Sequence, residues 1–250
     1  EDHFDPQTLR EIGPKPIIMG AFRHTGFRQQ ARALASRLIE IENGQCYTLG
    51  KMRIRIHAET PSYRTNSVLE IDTPCGKIVN ANDCGLDASV LQDIAARGKV
   101  ALFFSTLNVL ANGWPFPYLR QNESDYAVRV AAVREQVREA FALGMKILKP
   151  TVSVAFAGPV SFLHPLSAHL NSWPEARDWR QLVRELRVHG PVTWPAPGST
   201  FSLDTRDIIV ADQVPWPVSN PPRQNASSAN IPAPVASAVF RPALANVAQT

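Results

Sequence analysis

The segment from residue 66 to residue 87, NSVLEIDTPCGKIVNANDCGLD, constrains the fold of this chain more than any other segment. Residues 67–71 and 77–80 are rich in β-branched and other apolar side chains, which favours two strands. Residues 73–76 (TPCG) carry turn chemistry, so the segment predicts an antiparallel hairpin. Because a rigid sheet can hold a ligand-bearing loop at the end of a strand, Asp83 is the first candidate functional residue.

The composition is that of a globular protein with a sizeable buried core: 250 residues, of which 44% are hydrophobic and 19% charged. The net charge of +4 is modest and gives only slight support to an anionic substrate. Three cysteines without a CxxC pair suit a reducing compartment, so we expect a cytoplasmic protein. No apolar run approaches the ~20 residues of a membrane helix, and the sequence contains no nucleotide-binding loop or nucleic-acid module. We therefore expect neither a membrane nor a nucleic acid as partner.

Hydrophobic periodicity and cap residues predict the remaining elements. Helices are expected at 7–12, 27–41, 88–97, from about Ser124 or Asp125 onward, and at 179–188; strands are expected at 16–20, 46–49, 52–58, 100–105, 151–157 and 201–210. Antiparallel hairpins followed by helix-then-strand units are typical of an α/β fold with a mixed sheet flanked by helices. The composition changes to Pro, Ala, Ser and Asn after residue 210. We therefore expect one domain at 1–210 and a disordered tail at 211–250.

Several short motifs occur in an order that resembles a known fold. Residues 1–4 (EDHF), followed by Asp-Pro and a helix, resemble the second half of the His-x-His-x-Asp-His loop of the metallo-β-lactamase fold. Residues 82–84 (NDC), 113–115 (GWP) and 156–165 (FAGPVSFLHP) then follow in the order of the C-terminal part of that fold. Over residues 1–171, the sequence is most similar to the branch that contains CMP-N-acetylneuraminate hydroxylase.

The resemblance implies an αββα sandwich whose N-terminal part precedes this segment. Such a fragment is expected to expose a sheet edge and apolar surface, and hence to be poorly soluble alone. A monomeric fragment that melts cooperatively would contradict this expectation.

The resemblance also implies a metal centre with one or two divalent ions, zinc or iron, which take His nitrogen and carboxylate ligands. Asp2 and His3 would be ligands of one ion, and Asp83 would be the bridging and catalytic carboxylate. The implied activity is that of a metallo-hydrolase or an iron-dependent monooxygenase acting on a small molecule. The hydroxylase branch further implies an iron–sulfur partner as electron donor.

The sequence departs from the family pattern at several positions. Tyr63 stands where many relatives have a His in a Thr-Pro-x-His loop, so its role would be in substrate binding. His57 is the nearest substitute ligand, although a His between arginines on a strand is more often solvated. No His stands at the position of the last family ligand, and His164 is the closest one. Trp114 and Tyr118 could line a substrate mouth or simply pack together. The alternative hypothesis is therefore a degenerate, metal-free member that serves as a binding or scaffold module.

Overall fold

The computed structural model describes residues 4–22, 25–58, 66–108, 126–157, 179–195, 199–203 and 208–211, all within the compact unit Glu1–Trp216. The helices in these ranges are α1 (Pro6–Ile12), α2 (Thr25–Leu34), α3 (Ala88–Ala96), α4 (Tyr126–Leu148) and α5 (Trp179–Leu186), with a 3₁₀ turn at Arg187–His189. The strands are β1 (Pro16–Gly20), β2 (Arg37–Ile41), β3 (Cys46–Leu49), β4 (Met52–Ala58), β5 (Ser67–Thr73), β6 (Gly76–Asn82), β7 (Val100–Thr106), β8 (Val152–Phe156), β9 (Val192–Thr193), β10 (Thr200–Leu203) and β11 (Ile208–Ala211). No helix in the described ranges is long and apolar enough to span a bilayer.

Seven strands form the central sheet in the order β3-β4-β5-β6-β7-β8-β9. The strands from β3 to β6 pair antiparallel, as consecutive hairpins do, whereas β6 to β9 pair parallel. The parallel strands are separated in sequence by α3, α4 and α5, because a parallel connection must return along the length of the sheet. The predicted α/β fold with a mixed sheet flanked by helices is confirmed.

The main hydrophobic core lies between the sheet and the helices α3, α4 and α5. Alternate residues of the central strands face these helices, as the two-residue period of a strand requires. Fully buried members of this core include Val79, Phe103, Ala155, Ile94, Phe141 and Leu182. Apolar burial of this kind contributes about 25 cal/mol per Å², so this layer supplies most of the driving force for folding.

The opposite face of the sheet is covered by two small sheets. Ile54 and Ile56 of β4 pack with Ile41 of β2, which pairs parallel with β1. Farther along the sheet, Phe104 of β7 lies edge to face against Phe201 of β10, with 5.8 Å between the ring centroids. The chain is therefore layered as helices, a central sheet and two smaller strand pairs.

Two predicted elements were wrong. The helix expected over 27–41 ends at Leu34, and the chain then enters the strand β2. Ala31, Leu34, Ala35 and Leu38 have helical spacing, which predicted the longer helix. Ile39 and Ile41 instead alternate as in a strand, and both pack in the cluster around β4, where β-branched side chains are favoured. The single strand expected over 201–210 is an antiparallel hairpin made by β10 and β11.

Gly144 allows α4 to lie close to the sheet. α4 continues through this glycine to Leu148. A Cβ atom at position 144 would lie 2.7 Å from Cε1 of Phe103 and closer still to Cζ. Since Phe103 is fully buried against Phe141, its ring has little room to move aside.

We predict that Gly144→Ala destabilises the protein by about 1–3 kcal/mol, because the added methyl group overpacks the core. Helix propensity alone would stabilise this variant by about 1 kcal/mol, so the two effects have opposite signs. Urea unfolding measures the difference in the free energy of unfolding. In a Phe103→Leu background the same change should cost less, and a Gly144→Ala protein more stable than wild type would contradict the packing described here.

Candidate functional site at the carboxyl edge of the sheet

Four strands of the central sheet end at one common edge. β4 and β6 both pair antiparallel with β5 and so run in the same direction, and β6, β7 and β8 are parallel to one another. Their last residues, Ala58, Asn82, Thr106 and Phe156, therefore define what we call the carboxyl edge. In sheets with parallel strands, ligands bind beyond the carboxyl ends of the strands.

Asp83 lies at this edge in a tight turn. The register of β6 against β7 shifts between Asn80 and Asn82, which bends the strand just before Asp83. Asn82 has a left-handed backbone with φ of 48°, and the backbone N–H of Cys84 donates to the carbonyl of Ala81 at 2.8 Å. Asn is among the few residues that adopt this conformation readily. The local sequence thus places the Asp83 carboxylate on a defined turn at the end of a rigid strand.

A second left-handed residue lies at the same edge. Ala157, directly after β8, has φ of 63°, a conformation that alanine adopts only at a cost. Nδ2 of Asn108 donates a hydrogen bond of 2.6 Å to the carbonyl of Ala157. Asn108 is buried and lies just beyond the end of β7. Strain of this kind is often found at functional sites. Of the non-glycine residues with positive φ in the described ranges, Asn82 and Ala157 lie at this edge and Lys149 lies before β8.

The predicted site residues are distributed unevenly over the described structure. Asp83 and His57 are described, and both lie at the carboxyl edge. Asp2, His3, Tyr63, Trp114, Tyr118 and His164 lie outside the described residues. The chain nevertheless leaves the described structure from the carboxyl edge into segments 59–65, 109–125 and 158–178, which contain the last four of these.

The described residues alone do not form a metal centre. Across the described ranges, no three His, Cys, Asp or Glu side chains are grouped so that they could hold a metal ion. Nε2 of His57 faces Glu70 at 2.8 Å, which leaves only its Nδ1 as a potential ligand. A metal centre around Asp83 would therefore need ligands from outside the described residues.

His57 is buried, so the interpretation of this residue as a solvated side chain was wrong. Only 8% of its surface is exposed, and its ring lies on the face of the sheet that packs against α3. The arginines that alternate with His57 along β4 pair with carboxylates. Arg55, for example, donates to Asp72 at 3.0 Å. The solvated interpretation failed because it considered β4 alone, whereas the carboxylate partners, Glu70 and Asp72, lie on the neighbouring strand β5.

Glu70 is the centre of a buried ionic network. Its side chain is fully buried and accepts hydrogen bonds from His57 Nε2, from Lys77 Nζ, and from Nη2 of Arg97 at 2.7 Å. Lys77, itself only 2% exposed, also pairs with Asp72 at 3.0 Å. These donors belong to β4, β6 and the end of α3, so a single carboxylate joins three elements.

The pKa of Glu70 reflects two opposing causes. Burial alone would raise the pKa of this carboxyl, because it disfavours the charged form. Hydrogen bonds from His57, Arg97 and Lys77 outweigh burial and hold the pKa of Glu70 well below its usual range. Glu70 is therefore ionised near neutral pH. A signal for this network was present in the sequence, since charged residues occupy the same face of three consecutive strands.

A pocket opens between the carboxyl edge and α3. Its volume is about 280 Å³, and its walls come from the end of β4, the start of β5, segment 84–87 and the first turns of α3. Val68, Leu91 and Cys84 are among the apolar lining residues, while His57 and Asp87 are polar. Asp87 also begins α3 as its N-cap, since its carboxylate accepts from the backbone N–H of Ser89 at 2.7 Å.

Comparison with known proteins gives similarities of fold only. No family model matches the chain, and no curated protein matches it. The structure is similar to CmlA, a diiron beta-hydroxylase from Streptomyces venezuelae, with 14% identity and a TM-score of 0.48 over 71% of this chain and 38% of CmlA. It is also similar to the metallo-beta-lactamase fold protein YhfI from Bacillus subtilis (13% identity, TM-score 0.46, 76% of this chain and 66% of YhfI). A third similar structure is Zn(2+)-bound PqqB from Methylobacterium extorquens (12% identity, TM-score 0.40, 76% and 62%). Since the TM-scores lie below 0.5, these similarities do not assign the chain to a family.

We predict that Glu70→Gln lowers the free energy of unfolding by about 3–5 kcal/mol at pH 7, because it leaves Lys77 buried without its main counter-charge. In the native protein the lowered pKa makes Glu70 stabilising above its unfolded pKa of about 4.3, and this contribution is lost as pH falls towards the folded pKa. When unfolding is measured with denaturant between pH 7 and pH 3, the free energy of unfolding of Glu70→Gln should therefore fall less with decreasing pH than that of the wild type.

Glu139→Gln, an exposed substitution on α4, is the matched control and should change stability by less than about 0.5 kcal/mol. Equal effects of the two substitutions would refute the role assigned to Glu70.

Proposed function

We propose that this chain is a metal-dependent enzyme of the metallo-β-lactamase fold, a hydrolase or an oxygenase that acts on a small molecule. The observation that carries the proposal is the position of Asp83 at the carboxyl edge. It follows a register shift and a left-handed residue, and a second left-handed residue, Ala157, lies at the same edge. The strained backbone at Ala157 supports a functional role for this edge.

The metal part of the proposal depends on ligands beyond the described residues. Asp2 and His3 belong to the motif at the start of the sequence. His164 lies in segment 158–178, which follows β8 in the sequence. Carboxylate and imidazole are the groups that zinc and iron bind in proteins. We propose Asp83 as the carboxylate of this centre and Tyr63, Trp114 and Tyr118 as residues that contact the substrate.

The identity of the bound metal would distinguish the two reaction classes. CmlA is described as a diiron enzyme and PqqB as zinc-bound, and these are the two metals to be measured first. Iron would favour an oxygenase, which needs electrons from outside the chain. An iron–sulfur protein is the donor that the hydroxylase resemblance implies. Zinc would favour a hydrolase.

A metal-free binding module is the second candidate. It is favoured by the lack of a three-ligand group among the described side chains and by the engagement of His57 with Glu70. Tyr63, which stands in place of a histidine of the family pattern, also favours this candidate.

Metal analysis of the full-length protein by mass spectrometry separates the two candidates. We expect about one or two equivalents of iron or zinc per chain. Asp83→Ala should lose at least half of this metal and nearly all turnover, while Asp93→Ala on the exposed side of α3 should keep both. Circular dichroism verifies that both variants are folded. Unchanged metal content in folded Asp83→Ala, or no metal in folded wild type, would refute the metal proposal.

A further inference from the structure

We propose that the edge of the central sheet opposite the carboxyl edge binds the surface of a bilayer that contains anionic lipids. We call it the amino edge, because β4 and the parallel strands β6 to β9 begin there, while β3 and β5 end there. We expected no membrane partner because the sequence lacks a spanning helix, but binding at a bilayer surface requires none. The proposal does not rest on the metal centre proposed above.

Short connections form the amino edge, and the structure describes each of them. They are the segments 50–51, 74–75, 97–99, 149–151 and 187–191. Backbone hydrogen bonds join neighbouring segments, as between the N–H of Thr151 and the carbonyl of Val100 at 3.0 Å. Because strands lie about 4.8 Å apart, a row across the seven strands is roughly 29 Å long.

The amino edge is basic. Its connecting segments contain no Asp or Glu, whereas their Lys and Arg residues are Lys51, Arg97, Lys99, Lys149 and Arg187. All of these are exposed. Apart from Arg97, which pairs with Glu70, none forms an ion pair with a residue that the structure describes. Since the whole chain has a net charge of only +4, positive charge is concentrated at this edge.

Helix termini explain part of this charge. α3 and α4 end at the amino edge, and basic residues near a helix C-terminus interact favourably with its partial negative charge. Lys51, however, lies in the turn between two strands, so no helix terminus accounts for its position. Helix termini also do not explain why apolar side chains are exposed at the same edge.

Exposed apolar side chains lie at both ends of this row. The large hydrophobic residues exposed in the described structure are Ile12, Leu49, Met52, Val128 and Val188. Leu49 and Met52, 43% and 37% exposed, pair with each other at the turn between β3 and β4. Val188, 80% exposed, lies in the 3₁₀ turn before β9, at the other end of the sheet. Such side chains can enter the interfacial layer of a bilayer while the Lys and Arg residues between them contact lipid phosphates.

This combination fits a bilayer better than another macromolecule. A second copy of the chain would bring two basic edges together, and their charges would repel each other. The apolar residues lie at opposite ends of the row, whereas a protein interface has a contiguous apolar centre. The connecting segments contain no Phe, Trp or Tyr on which nucleic-acid bases could stack. A bilayer offers apolar and anionic groups along its whole surface, so it can contact both ends and the charges between them.

Cosedimentation of the full-length protein with vesicles tests the proposal. Vesicles of phosphatidylcholine with about 30% phosphatidylserine, an anionic lipid, are compared with vesicles of phosphatidylcholine alone. We expect saturable binding to the anionic vesicles and at least about tenfold weaker binding to the neutral ones. Binding should also weaken as the concentration of NaCl rises, because salt screens the charges.

Two pairs of variants locate the binding. Arg187→Gln should weaken binding about fivefold, the contribution of one basic residue near an anionic surface. Its control, Arg180→Gln, lies in the first turn of α5 and should have little effect. Val188→Ser should weaken binding about fivefold through the loss of apolar contact, whereas the exposed Val128→Ser near the start of α4 should not. Circular dichroism verifies that the variants are folded.

Three results would overturn the proposal. They are no binding of the folded wild type to anionic vesicles, equal binding to both kinds of vesicle, and equal effects of the edge variants and their controls. Fluorescence anisotropy with a labelled DNA duplex tests the main competing partner. DNA binding that Arg187→Gln weakens, without any vesicle binding, would assign the amino edge to nucleic acid instead.

Failure here is distinguishable from failure of the proposed function. Arg187 and Val188 precede β9, at the opposite end of the strands from Asp83. The metal content of Arg187→Gln and Val188→Ser should therefore equal that of the wild type, whatever their binding to vesicles.

Discussion

The contact between the buried Glu70 carboxylate and its cationic partners is the interaction on which the rest of this structure depends. A charge buried so deeply costs several kcal/mol unless each partner is in place. Lys77 and Arg97 supply the charges, and His57 supplies a further donor. Because these residues belong to different elements, the network is satisfied only when β4, β5, β6 and α3 are assembled together. The network therefore favours one arrangement of these four elements and contributes little stability until all of them are assembled.

The same network fixes strand register and the geometry of the carboxyl edge. A one-residue slip of β5 would move Glu70 to the face packed with isoleucines, where it would have no partner. Arg97 holds the end of α3, while Asp87 caps its start. The segment from Asp83 to Asp87 is therefore confined between a fixed strand end and a fixed helix. This confinement positions both the Asp83 turn and the pocket beside it.

The sequence predicted most strands because their local pattern and their tertiary environment agree. The hairpin over 66–83 combines β-branched runs with turn residues, and both strands and their turn are present. The helix expected over 27–41 failed at its end because the helical spacing of Ala31, Leu34, Ala35 and Leu38 was extended too far, whereas Ile39 and Ile41 pack in the cluster around β4 as strand residues. The burial of His57 could not be predicted from β4 alone, since its partner is thirteen residues away on β5. Asp83 was identified from its position after a strand, whereas the left-handed backbone at Ala157 has no sequence signature.

The most direct measurement of the central claim, that the carboxyl edge forms a metal centre around Asp83, is anomalous diffraction. Crystals of the full-length protein grown with iron or zinc would be measured on both sides of the corresponding absorption edge. We expect an anomalous peak about 2.0–2.2 Å from a carboxylate oxygen of Asp83, with imidazole ligands completing the coordination. Well-ordered density for Asp83 without any peak within coordination distance would contradict this account. The carboxyl edge would then belong to a binding module rather than to a metalloenzyme.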